Sequence, residues 1–161
     1  MSDELLRESM RRFASAPAPA GYLQGLQGLK LCAGRAYDAA AVEAPDSQRP
    51  VYERLASHER DHARAIATML GALAAKQPRR PQDDDVAALV PGIAGARTPR
   101  AALAAAERFE ASELAAVEAV QAGMTEAKLL QTLLTIIAAD GQHGVALRLA
   151  LGEEPVPRAF S

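Results

Sequence analysis

Glu59 and His62, and then Asp140 and His143, each place a carboxylate and an imidazole three residues apart within a long apolar-periodic stretch, the pairs 81 positions from one another. Residues three apart project from the same side of an α-helix. Ionisable groups on an apolar helix face are costly to bury unless they meet partners or a metal ion. The chain is therefore expected to fold so that these faces meet, which selects helix packed on helix. Two such helices facing each other are the usual way a four-helix bundle builds a carboxylate-bridged metal site.

Four long segments carry helical periodicity. Residues 20–43 align Leu23, Leu26, Lys30, Ala33 and Tyr37, and end before the turn-rich Pro45, Asp46, Ser47 and Pro50. Residues 51–76 align Val51, Leu55, His62, Ile66, Met69 and Leu73. A long connector, residues 77–98, holds Pro78, Pro81, Pro91 and an Asp run, with a helical turn expected at 84–90. Thr98 and Pro99 read as N-cap and first residue of a third helix that ends near Gly123. Its inward face is expected to carry Leu103, Ala106 or Glu107, Glu110, Leu114 and Val117. The fourth, residues 125–151, aligns Leu129, Leu133, Ile136, Asp140, His143 and Leu147, and Gly152, Pro155 and Pro157 stop it. Connections that run short, long, short predict an all-α antiparallel four-helix bundle with one long crossover between its second and third helices. That bundle is assigned to residues 20–161. Residues 1–19 form an arm with a short helix at 3–13, docked through Leu6, Met10 and Phe13.

Composition narrows the classes. The chain of 161 residues is long enough for one domain with a real core. Its net charge of −2 and lack of a basic stripe argue against a nucleic-acid partner. Cys32 is the only cysteine, so no internal disulfide forms. The apolar run at 129–139 is too short to span a bilayer, and the charged N-terminus lacks the apolar region of a signal peptide. The expectation is a soluble cytoplasmic protein without membrane contact, its protein partner unspecified. A homodimer is the default assembly.

Lys30, Glu59 with His62, Glu110, and Asp140 with His143 fall near the middles of their four helices. In an antiparallel bundle mid-helix positions share one level, so these groups can converge. A competing pattern is His58-Glu59-Arg60-Asp61-His62, which also satisfies the zinc-protease motif H-E-x-x-H. Strands, a cleft and a third ligand are missing from that reading, and His58 is better placed as a flanking group. Tyr37, two turns from Lys30, reads as a redox-active tyrosine or as a core tyrosine with a bonded hydroxyl. Cys32 reads as a small buried hydrophobe. Asp83 to Asp85 and Arg79-Arg80 read as solvated surface charge.

The segments HERDHARAI (58–66), AERFEASELAAVEAV (106–120) and the stretch 129–160 ending LRLALGEEPVPRAF resemble the second, third and fourth helices and tail of a bacterial ferritin-like domain family. They agree with it in order and spacing over the last two-thirds of the chain. The first helix matches only in length and in its end around Ala36-Tyr37. The resemblance implies a ferritin-like bundle with ligands Glu59, His62, Glu110, Asp140 and His143, holding iron, manganese or zinc. Two positions depart from the family. Lys30 stands where the first helix should present a Glu, and Asp140 is a methylene shorter than the expected Glu. With three carboxylates, two imidazoles and an ammonium, two dications are disfavoured by Coulomb repulsion. Three readings stay open: one ion with oxidoreductase-type chemistry; no metal, with Lys30 replacing its charge in a structural or interaction module; or a metal pair with Lys30 turned away.

Overall fold

Stop signals and caps cut the chain into its helices. The computed structural model describes residues 2–155, and among these there are six helices and no strand: α1 Ser2–Phe13, α2 Ala20–Glu43, α3 Arg49–Ala72, α4 Asp83–Leu89, α5 Pro99–Ala122 and α6 Ala127–Leu151. Pro157 and the matched tail as far as Phe160 lie outside the described residues. Thr98 caps α5, its side chain accepting from the Ala101 N–H at 3.2 Å. Gly152 closes α6 with φ 75°, the left-handed conformation that glycine adopts without a Cβ penalty. α3 begins at Arg49, earlier than periodicity suggests, because Pro50 in the first turn forfeits no helical hydrogen bond. It ends at Ala72 rather than 76, where Ala74 turns the chain at φ 52°.

α2 sits at the centre, touching α1, α3, α4 and α5. The broadest contacts are α2 with α3 and α5 with α6, and the pairs meet through α2 with α5 and α3 with α6. The apolar stripes fill the space between them: Leu23, Leu26, Ala33 and Tyr37 from α2, Leu55 and Ile66 from α3, Leu103 and Val117 from α5, Leu133 and Leu147 from α6 are all buried. Val51, Leu73 and Leu114, expected inside, are only partly buried.

α1 lies close on α2 because α2 is notched there by glycine. A Cβ on Gly28 would lie 2.2 Å from the Phe13 ring, and one on Gly25 would lie 2.8 Å from the Met10 side chain. Ser9 Oγ donates to the Gly25 carbonyl at 2.6 Å across this contact. The charges near α4 are not simply solvated. Asp85 is buried and accepts from Arg79 at 2.6 Å, from Arg12 at 3.2 Å and from the Gln82 N–H at 2.8 Å. Arg79 also lies 4.9 Å over the Phe13 ring. Two long side chains crossing from α1 and the connector thus neutralise an inward Asp that sequence composition placed in water. Among the described residues no helix is long and apolar enough to cross a membrane.

Candidate metal centre

Heptad-like spacing brings Lys30 of α2, Glu59 and His62 of α3, Glu110 of α5, and Asp140 and His143 of α6 to one place between the helices. All six are buried. They are joined there by a residue the periodic reading missed, Glu113 of α5, which is wholly buried. Glu113 lies three residues after Glu110 and seven after Ala106, on the same inward stripe. Its spacing was therefore readable, and the neighbouring Leu114 drew the apolar position instead. The centre has four carboxylates rather than three.

These carboxylates divide into two sides. On one, the Lys30 ammonium lies 2.8 Å from Asp140 Oδ2, 2.9 Å from Glu113 Oε2 and 3.1 Å from Glu59 Oε2. On the other, His62 Nδ1 lies 3.2 Å from Asp140 Oδ1 and 3.7 Å from Glu59 Oε1. His143 Nδ1 lies 3.1 Å from Glu110 Oε2, 3.4 Å from Glu59 Oε1 and 3.8 Å from Asp140 Oδ1. Glu59 and Asp140 therefore span the centre, each giving one oxygen to the ammonium and the other to the imidazoles.

The surroundings orient these groups. Tyr37, wholly buried, donates its hydroxyl to Glu110 Oε1 at 2.5 Å and stacks near Tyr52. His58 Nδ1 lies 3.0 Å from His143 Nε2, and the His58 and His143 rings stack at 5.2 Å between centroids. The His62 ring also stacks on His143, at 5.9 Å between centroids. His58 thus touches His143 rather than joining His62 in a protease-type pair.

Charge regulation follows from burial and neighbours. Burial alone would lower the Lys30 ammonium, but Glu113, Glu59, Asp140 and Glu110 together raise its pKa well above the ordinary lysine value. Burial, and after it the Glu59 carboxylate, raises Glu113 well above its usual range against the pull of Lys30. Burial also raises Glu110, opposed by His143. Asp140 would rise with burial, yet Lys30 and His62 hold it below its ordinary value. His62 would fall with burial, but Asp140 and Glu59 lift it to about 9.

The donor set fits a metal ion. Glu59, Glu110, Asp140 and His143 each offer one ligand atom, all within 4.8 Å of one another. Ligand atoms on one ion at 2.0–2.2 Å stand up to roughly 4.4 Å apart, so a small contraction suffices. Asp140 Oδ1, Glu59 Oε1 and His62 Nδ1 are buried without a hydrogen bond, although each faces an ionisable neighbour. Such orphaned polar atoms are what a bound cation satisfies. The sequence model of the family described as ferritin-like domain matches residues 19–153. The chain belongs to the ferritin-like domain family. No curated protein matches it. In this ferritin-like domain Lys30 does not turn away from the centre. A separate cavity of about 720 Å³ between α1, α4 and α5, lined by Arg7, Arg11 and Phe109, touches none of the cluster.

Proposed function

We propose that this ferritin-like domain is an antiparallel four-helix bundle that binds one metal ion, with the Lys30 ammonium standing in the place of a second. The bundle reading is supported by contacts whose numbers run in opposite directions: Ala41 with Arg49, Tyr37 with Tyr52 and Lys30 with Glu59 between α2 and α3. Glu107 with Arg148 and Glu110 with His143 do the same between α5 and α6. α4 then lies in the crossover. The ion would be held by Glu110, His143, His62 and the free oxygens of Glu59 and Asp140.

The observation that carries this reading is the division of Glu59 and Asp140 between Lys30 and the imidazoles. A carboxylate with one oxygen on the ammonium keeps its other oxygen on the imidazole side, where an ion could replace the proton that His62, lifted to about 9, otherwise carries. Lys30 and a protonated His62 supply two charges against four buried carboxylates, so a dication that displaces the His62 proton brings the cluster closer to neutrality. Iron or manganese bound there supplies one-electron chemistry, and zinc supplies a Lewis acid. The chain's residues orient and insulate the ion. Tyr37 fixes Glu110 by donating to its second oxygen, and His58 Nδ1 lies against His143 Nε2, where accepting its proton would leave His143 Nδ1 free to ligate. Oxidoreductase-type activity follows if the ion is redox-active.

The metal-free module is favoured by one observation of its own: Lys30 is ion-paired to three carboxylates with neither partner exposed. Metal analysis of protein purified without chelator separates the two. One ion per chain in the wild type, and two in Lys30→Glu, is the expected result. No metal in the wild type after iron, manganese and zinc are each offered would overturn the one-ion reading.

A further inference from the structure

α6 carries two interior glycines, Gly141 and Gly144, on either side of His143. Glycine weakens a helix interior, so some other reason is needed for both. Close packing is not that reason, since a Cβ built on either would meet nothing within 4 Å. Both instead line a cavity of about 290 Å³ between α5 and α6. Its walls include Leu114 and Val145, and it also reaches Glu110 and Asp140 of the metal centre. Asp140, which lines it, also carries a buried oxygen, Oδ1, without a hydrogen bond, on the imidazole side of the centre. At one end Arg148 and Glu107, both partly exposed, are paired at 2.6 Å.

We propose that this groove is the access route by which a small uncharged molecule reaches the metal centre, and that Gly141 and Gly144 keep it open. The proposal rests on the metal reading given above. A charged substrate fits the route poorly, because its charged walls are already engaged, Arg148 with Glu107 and Glu110 and Asp140 with the centre, and Leu114, Val145 and the glycine backbone offer little to replace its water. A molecule of two or three heavy atoms needs no such exchange. Any side chain at position 144 projects into the groove rather than into packed protein, so the route can be narrowed without disturbing the core.

The test uses the full chain loaded anaerobically with Fe(II), and nitric oxide as the uncharged probe followed by stopped-flow absorbance of the nitrosyl. Gly144→Leu is expected to keep the wild-type iron content and to slow nitric oxide association at least tenfold. Leu114→Trp narrows the groove from the α5 wall and is expected to do the same, which covers the case in which Gly144→Leu does not fold. Equal association rates with equal iron content in a folded variant would overturn the route and leave the metal reading standing. Absence of iron from the wild type would overturn the route, and absence of manganese and zinc as well would overturn the metal reading with it.

Discussion

A single ammonium decides the chemistry of this centre. Lys30 holds oxygens from three helices, and among the described residues it is the one cation paired with Glu113. Removing one partner of a buried ion cluster leaves uncompensated charge, a loss of about 3–5 kcal/mol. Lys30→Met is therefore expected to lower the unfolding free energy of the metal-free protein, measured in urea, by that amount, with much of the loss recovered when metal is added. An unchanged unfolding free energy would mean that the carboxylates are already neutralised by protons. Cys32 gives a second test at this scale. Burial raises its thiol to about 12, so the thiolate is scarce near neutral pH. Alkylation by iodoacetamide is expected to be on the order of a hundredfold slower in native protein than in denaturant. Comparable rates would show that α2 opens readily.

At the scale of elements, the α1–α2 contact depends on missing side chains. Gly28→Ala forces the Phe13 ring to move, and overpacking of this kind costs about 1–3 kcal/mol. The expected readout is a lower denaturant midpoint, whereas Gly71→Ala, whose Cβ would meet nothing within 4 Å, is expected to cause no loss. α4 is secured by charge. The Arg79 guanidinium, helped by the Gln82 N–H and Arg12, holds the Asp85 carboxyl well below the usual carboxylate range. A group whose folded pKa is depressed stabilises the fold above its unfolded value near 4, and loses that contribution as pH falls towards the folded value. Stability measured in urea at pH 6 and pH 3 is expected to fall more in the wild type than in Asp85→Asn. Parallel losses in both would remove Asp85 as the cause.

For the molecule as a whole, binding the proposed ion would couple all four long helices, because its ligands would come from α3, α5 and α6 while Lys30 of α2 holds two of the same carboxylates from behind. Anything that binds only the folded state stabilises it by mass action, about 2.7 kcal/mol at a hundred times Kd. Thermal unfolding is thus expected to shift upward with Mn(II) or Zn(II), and the shift is expected to shrink when His143→Ala removes a ligand. A shift of equal size in that variant would place the ion elsewhere.

Helix positions and inward faces were legible in sequence because they rest on local facts: apolar spacing of 3.6, Thr98 and Pro99 at a start, Gly152 at a stop. The inward register of Lys30, Glu59, His62, Glu110, Asp140 and His143 follows from the same spacing. Glu113 was legible in principle, three residues after Glu110. Asp85 was not, since Arg79 reaches it from an aperiodic connector and Arg12 from 73 residues away, and no periodicity reports either pairing. Nor does spacing say which oxygen of Glu59 or Asp140 faces which cation. That choice was made by tertiary packing, because Lys30 and Asp140 meet across 110 residues and their side chains settle only when four helices close on one another.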